Sequence, residues 1–319
     1  MIRPRRLRTT AAMRRLVREV EVRPRQLVLP AFVGENAAPI GAMPGVRRHD
    51  LDGIRRLAAD VAEAGLGGIM LFGVPDDDDK DDEGSAGWDG DGILQRALRV
   101  VRSEVGDATV VMADTCLDEF TRHGHCGLLD ERGRVDNDAT LERYGEMAVA
   151  QAEAGAHVVS PSGMMDGQVR AIRSALDAAR LQDTAILAYS AKYASAFYGP
   201  FREAVASSLE GDRRSYQQDP ANRREGLREA ALDLEEGADM VMVKPAGYYL
   251  DVLSDVAAAS PVPVAAYQVS GEYSMIEAAA ANGWLDRRAA ATESVTGIVR
   301  AGADIVLTYW ALELAEWMK

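Results

Sequence analysis

One recurring junction constrains the fold of this chain more than any other feature: a helical pattern ends at glycine and a short apolar run follows at once. It occurs as Ala64-Gly65 before Gly68-Ile69-Met70-Leu71-Phe72, and as Ala154-Gly155-Ala156 before Val158-Val159. It returns as Glu236-Gly237-Ala238 before Met240-Val241-Met242-Val243, and as Ala301-Gly302-Ala303 before Ile305-Val306-Leu307. Glycine just past a helix takes the left-handed conformation that ends it, and an unbroken apolar run suits a strand buried on both faces. The apolar runs 27–33, 110–113, 185–189 and 262–267 bring the count to eight strands. Amphipathic patterns over 51–64, 93–105, 139–154, 167–180, 223–236 and 274–282 read as helices between them. The spacing predicts an α/β chain, a (β/α)8 TIM barrel over 26–319 with an extended N-terminal arm over 1–25 and no Pro/Gly/Ser linker dividing it. An open doubly wound sheet is the competing architecture. It would carry a glycine-rich phosphate turn after the first strand, and Phe32-Val33-Gly34-Glu35-Asn36 is not one.

Charge narrows the partners. A net charge of −14 argues against nucleic acid as a general partner, because phosphate binding draws on clustered Lys and Arg. The arm is the exception: residues 1–25 hold nine arginines against Glu19 and Glu21. Docking on an acidic neighbouring subunit is the reading preferred here over a nucleic-acid arm. No apolar run approaches the roughly 18 residues of a membrane span, and the Arg-rich start lacks the apolar stretch of a signal peptide. A cytoplasmic protein is expected. The two cysteines, Cys116 and Cys126, are too few for a disulfide framework and suit a reducing compartment.

Two loops stand out. The Asp- and Gly-rich stretch 76–92 resembles a cation site but reads as a solvated, mobile loop. Residues 199–222 hold Arg202, Arg213, Arg214 and Gln217 among Gly, Ser and Pro just beyond a strand, the composition of an active-site lid.

In a TIM barrel the chemistry sits where the strands end. The third apolar run closes in Asp114-Thr115-Cys116, the fourth in Ser160-Pro161-Ser162 and the fifth in Tyr189-Ser190-Ala191-Lys192. The sixth closes at Lys244-Pro245, the seventh in Gln268-Val269-Ser270 and the eighth in Thr308-Tyr309. Only four of the 36 basic residues are lysine. Lys80, in the acidic loop, and Lys319, at the C-terminus, read as solvated. Lys192 and Lys244 fall on adjacent strands, where burial and mutual repulsion disfavour the ammonium form and leave amines able to attack a ketone and form an imine. Salt bridges in the barrel mouth are the bland alternative. Between Asp114 and Gly127, two thiols and an intervening carboxylate, Cys116, Asp118 and Cys126, offer three ligands for a catalytic zinc. Two buried cysteines beside a solvated Asp fit the same pattern.

The segments Ser190-Ala191-Lys192-Tyr193-Ala194-Ser195, Tyr198-Gly199-Pro200-Phe201-Arg202, Met242-Val243-Lys244-Pro245-Ala246-Gly247 and Tyr267-Gln268-Val269-Ser270-Gly271-Glu272-Tyr273 resemble the porphobilinogen synthase (5-aminolaevulinate dehydratase) family, with likeness from about residue 3 to 319. The resemblance implies a hydro-lyase that condenses two 5-aminolaevulinate molecules into porphobilinogen with loss of two waters, through Schiff bases on two lysines, early in haem and tetrapyrrole synthesis. It implies that Lys244 holds the propionate-side substrate and Lys192 the acetate-side substrate. Arg202, Arg213 and Gln217 match the clamp for one substrate carboxylate, and Ser270 and Tyr309 the clamp for the other.

The metal segment departs from the commonest family patterns. Zinc-using members carry cysteine at the positions of 116, 118 and 126, and metal-independent ones carry Ala and Asp; this chain has Cys, Asp, Cys. The hybrid implies weaker but retained zinc binding, with Asp114 as an acid-base residue or one behind the metal ligands. Gly163 stands where the family usually has Asp, and the sequence assigns that no consequence. The resemblance also implies a homo-octamer built through the arm, and an allosteric Mg²⁺ held by Glu229, which on the sequence alone is equally a helix-surface carboxylate. A class I aldolase, which needs a single lysine imine, is the competing enzyme. A non-catalytic barrel that binds nucleic acid or assembles through its arginine arm is the competing non-enzyme.

Overall fold

The computed structural model describes residues 1–319. Ten strands form in chain order: β1 (Leu27–Gly34), β2 (Ala38–Pro39), β3 (Arg47–His49), β4 (Gly68–Val74), β5 (Val110–Thr115), β6 (Val158–Pro161), β7 (Ala185–Lys192), β8 (Met240–Lys244), β9 (Val264–Tyr267) and β10 (Ile305–Leu307). β1 and β4 to β10 pair in parallel, each with the next, and β10 returns to β1 through Leu27↔Val306 and Val28↔Leu307. The eight-stranded sheet is therefore a closed barrel, and the open doubly wound alternative falls. β2 and β3, which the apolar runs did not announce, form a small antiparallel excursion at the edge of β1.

The junction glycines behave as the pattern required. Gly65, Gly155, Gly237 and Gly302 have φ of +67°, +106°, +108° and +114°, a region where a Cβ is disfavoured. Each turns a helix of the outer shell into the next strand. One cluster of 77 buried hydrophobic residues runs through barrel and helices, so no core boundary divides residues 26–319.

Helices at Leu51–Glu63, Ile93–Val105, Asn137–Glu153, Gln168–Ala178 and Arg223–Glu236 lie within two residues of expectation at each end. The one expected at 274–282 starts earlier, at Ser270, because Glu272 accepts the Val269 N–H at 2.7 Å and caps the first turn. Leu250–Ala259 and Arg287–Arg300 are helical without having been singled out. Both are rich in alanine, which weakens the contrast between their faces. In the arm, Pro4–Arg8 and Ala11–Leu16 form short helices with no buried residue.

Candidate active site

Lys192 closes β7, Lys244 closes β8, and the two are register partners across that pair. From Ala188↔Val241 to Ala191↔Val243, β7 advances three residues while β8 advances two, a bulge of one residue. Strict alternation would place Tyr189 and Lys192 on opposite faces; the extra residue returns Lys192 to the side of Tyr189. Its Nζ accordingly lies 5.6 Å from the Tyr189 ring centre.

Both amines are buried, at 4% and 5% exposure. Lys192 donates to the Ser162 carbonyl. Lys244 sits among aromatic rings, its Nζ 4.4 Å from the centre of Tyr267, 5.0 Å from Tyr189, 5.2 Å from Phe201 and 5.5 Å from Tyr198. Burial and then the Lys192 charge disfavour its ammonium form. Asp114, Asp118 and Glu119 offset only part of this, and the Lys244 pKa is lowered to about 7. A sizeable fraction of Lys244 is thus a free amine near neutral pH.

Asp114, one residue before the end of β5, faces the same cavity. Its Oδ2 accepts from Ser162 Oγ at 3.1 Å, while Oδ1 is buried without a partner. Burial pushes the carboxyl up against the pull of Lys244 and Lys192, to about 6. The backbone beneath it is held by Gln151, which donates from Nε2 to the Asp114 carbonyl at 2.8 Å and accepts from Thr115 Oγ1 at 2.6 Å.

Ligand atoms of Cys116, Asp118 and Cys126 lie within 4.8 Å of one another, all three residues buried. Two thiols and a carboxylate so placed fit a borderline-soft divalent cation with a position left open. Asp118 is not the solvated residue of the bland alternative. Burial raises its carboxyl, but the Arg213 guanidinium, 2.8 Å away, and the Lys192 charge outweigh that and hold it well below the usual carboxylate range. Next to it, burial and then the Asp118 and Asp114 carboxylates push Glu119 well above that range. Tyr144 closes the back of the cluster, donating to the Cys126 carbonyl at 2.9 Å with its hydroxyl 3.5 Å from Cys116 Sγ. A Cβ on Gly163 would stand 1.8 Å from that hydroxyl. The departure at 163 therefore has a consequence after all: the missing side chain is what lets Tyr144 reach the cysteine loop.

A cavity of about 360 Å³ opens over the lysines, and Arg202, Arg213 and Gln217 of the 199–222 segment form part of its wall. Arg213 Nε and Gln217 Nε2 are buried donors with no partner in the fold. The segment is joined to the cysteine loop by Arg213 Nη2, which also donates to the Gly124 carbonyl at 2.8 Å, and by the Cys126 N–H, which donates to Tyr216 Oη at 3.4 Å. Lys80, expected in solvent, is instead only 4% exposed. It bonds Asp77 at 2.8 Å and the Ala206 carbonyl at 3.0 Å, tying the acidic 76–92 loop to the 199–222 segment. In that loop Asp81 spends one carboxylate oxygen on the N–H groups of Glu83, Gly84 and Ser85, a turn and not a cation cage.

Ser270 and Tyr309 stand outside this cavity wall. Ser270 Oγ accepts the Phe201 N–H at 3.0 Å, and Tyr309 Oη lies 3.1 Å from Tyr267 Oη. Phe201 belongs to the 199–222 segment, so Ser270 is held by that segment in this structure. Glu229 is half-buried on the Arg223–Glu236 helix, also outside the cavity. Burial and then Asp166 and Glu225 raise its carboxyl.

The sequence profile of the delta-aminolevulinic acid dehydratase family matches residues 1–317. The chain belongs to that family. Delta-aminolevulinic acid dehydratase of Mycobacterium tuberculosis H37Rv is 68% identical over 319 residues, covering 99% of this chain and 97% of that one. The enzyme of that name from Streptomyces coelicolor is 68% identical over 320 residues with the same coverage, and that of Escherichia coli K12 is 50% identical over 317 residues, covering 98% and 97%. Among solved structures, the porphobilinogen synthase of Toxoplasma gondii ME49, in complex with its reaction product porphobilinogen, superposes with a TM-score of 0.97 at 43% identity, covering 99% of this chain and 91% of that one. No helix of this dehydratase-family chain is long and apolar enough to cross a membrane.

The dehydratase-family motifs draw the eye to the lysines and pass over what surrounds them. Tyr189 and Tyr267 were legible only as strand ends or motif letters, and Gln151, Tyr144 and Glu119 carried no signal. Gln151 sits mid-helix, where burial of a single polar residue is a tertiary fact. Glu119 was one more acid in an acidic segment until the fold buried it.

Proposed function

We propose that this chain condenses two molecules of 5-aminolaevulinate into porphobilinogen with loss of two waters, a hydro-lyase reaction in keeping with the name dehydratase that its relatives carry, early in haem and tetrapyrrole synthesis. The register pairing of Lys192 with Lys244 in a dry aromatic cavity carries the proposal. The neutral amine of Lys244 attacks the ketone of one substrate; the resulting carbinolamine loses its hydroxyl as water and becomes an imine. Lys192 captures the second ketone in the same way. Asp114, with its pKa pushed up to about 6, is suited to give a proton to a departing hydroxyl and take one back.

Arg202, Arg213 and Gln217 bind one substrate carboxylate, and the unpartnered donors on Arg213 and Gln217 support that role. Ser270 and Tyr309 bind the other once Phe201 has moved. Closure of the 199–222 lid excludes the water that would hydrolyse the imines. Cys116, Asp118 and Cys126 hold zinc, which when bound lowers the pKa of a water or substrate amine beside Lys192. Glu229, whose carboxyl is raised by burial and by the charges of Asp166 and Glu225, holds an allosteric Mg²⁺.

The arm, 1–25, builds a homo-octamer. Its exposed Leu7, Leu16 and Val17 find no partner within the chain, and its arginines suit an acidic neighbour of the same sequence. The barrel is placed in the cytoplasm, with neither nucleic acid nor membrane as partner.

The test is a porphobilinogen assay on purified protein, with metal analysis of the same sample. Pyrrole formation that falls with a strong chelator and returns with Zn²⁺ is expected. Borohydride trapping with 5-aminolaevulinate that labels one lysine, without any pyrrole in the assay, would favour the aldolase reading, and unchanged turnover of metal-free protein would remove the zinc.

A further inference from the structure

Beside the cluster of Cys116, Asp118 and Cys126 lies a second, which brings in Glu119, a buried carboxyl to which the proposed reaction gives no role. Ligand atoms of Asp114, Cys116 and Glu119 are also within 4.8 Å of one another, and all three residues are buried. Cys116 is common to both. The two sets differ in what their carboxylates already do. In the first, Asp118 Oδ2 accepts from the buried Arg213 guanidinium at 2.8 Å, so its charge is matched within the fold. In the second, Asp114 Oδ1 and Glu119 Oε1 are both buried and bare, on residues exposed by only 4% and 2%.

A buried oxygen with no hydrogen-bond donor is costly to leave unpaired, and a cation that displaces the proton of such a carboxyl supplies the missing partner. Of the nearby basic groups, Arg213 is engaged with Asp118 and the Gly124 carbonyl and Lys192 with the Ser162 carbonyl, while Lys244, which also acts on Asp114, has its ammonium form disfavoured by burial and by the Lys192 charge. Glu119 has no cationic side chain within ion-pair distance. A solvent-borne divalent ion fits that gap. The donor set is two carboxylate oxygens and one thiolate, harder than the first and open to Mn²⁺ or Co²⁺ as well as Zn²⁺. Asp114 and Glu119 both line the cavity over the lysines, which provides an entry path and room for further ligands from water or substrate.

We propose that this chain has a second divalent-cation position, formed by Asp114, Glu119 and Cys116, which shares the Cys116 sulfur with the position at Asp118 and Cys126. A bridging thiolate sets two such ions on the order of 4 Å apart, the spacing of paired-metal sites. The inference concerns ion binding alone and stands or falls apart from the reaction proposed above.

Cobalt titration of metal-free protein tests it, read by thiolate-to-cobalt charge-transfer absorption, which only a cysteine-bound ion gives. The full-length protein is expected to take up two such ions per chain. Glu119→Gln, which keeps shape and removes charge, should take up one, and Cys126→Ser should retain one through Cys116. Saturation of the unaltered protein at a single cysteine-bound ion overturns the proposal. So does Glu119→Gln that still binds two, or that binds none although its circular dichroism and melting temperature match the unaltered protein.

Discussion

Arg213 donates from Nη2 to Asp118 Oδ2 at 2.8 Å, joining the 199–222 segment to the cysteine loop through an ion pair whose side chains are only 11% and 5% exposed. Removing one partner of a pair so buried leaves the other uncompensated. Asp118→Ala is expected to cost about 3–5 kcal/mol in denaturant unfolding, the range for broken buried pairs. Because the folded pKa of Asp118 is depressed, its contribution is present above an unfolded value of about 3.9 and lost as pH falls from there toward the folded value. The variant should lose less stability on acidification than the unaltered protein. A cost below about 1 kcal/mol, typical of solvent-exposed pairs, would contradict the latch.

The lowered pKa of Lys244 sets a pH dependence for its chemistry. Imine formation needs the neutral amine, so the single-turnover rate should rise with pH through about 7 and not through the usual lysine range. Burial is the larger cause and the Lys192 charge the next. Lys192→Met should therefore move the Lys244 midpoint upward without restoring it to that of an exposed lysine. Folding stability follows the same sign, since an unfolded chain binds the proton more tightly and stability gains from this group as pH rises from about 7 toward 10. An unshifted midpoint in Lys192→Met, followed by borohydride trapping at Lys244, would remove the repulsion between the amines.

Gly163→Ala should disturb the cysteine loop from behind. Its new methyl meets the Tyr144 hydroxyl at a distance no packed atom tolerates, and overpacking of this kind costs roughly 1–3 kcal/mol. Melting temperature and zinc affinity by chelator competition should both fall. Tyr144→Phe combined with Gly163→Ala removes part of the clash and should recover part of the stability. Equal affinity in Gly163→Ala and the unaltered protein would mean that Tyr144 does not support the loop.

Deleting residues 1–25 should shrink the assembly in sedimentation while leaving the barrel folded, because no residue of the arm's two short helices is buried in the chain's own core. Unchanged assembly size, with loss of a salt-sensitive affinity for nucleic acid, would overturn the reading of the arm.

The barrel was legible because its signals are local. Glycines at 65, 155, 237 and 302 ended helices as their position required, and the strand ends carried Lys192 and Lys244 as expected. What resisted reading depends on the closed fold. The β7 bulge, which decides where Lys192 points, is a mismatch of register between two strands and leaves no mark on either alone. Lys80 looked like a solvated charge among aspartates until the Ala206 carbonyl of the 199–222 segment came to meet it across the molecule. Gly163 looked inert because the hydroxyl it accommodates belongs to a helix nearly twenty residues earlier.

Borohydride reduction in the presence of 5-aminolaevulinate, followed by peptide mass mapping, tests the central claim most directly. Stable adducts on Lys244 and on Lys192 are expected, with none at Lys80 or Lys319, and Lys244→Ala should form no pyrrole while keeping its fold. Pyrrole formation at the unaltered rate by Lys244→Ala, or a protein in which neither buried lysine is trapped, would contradict it.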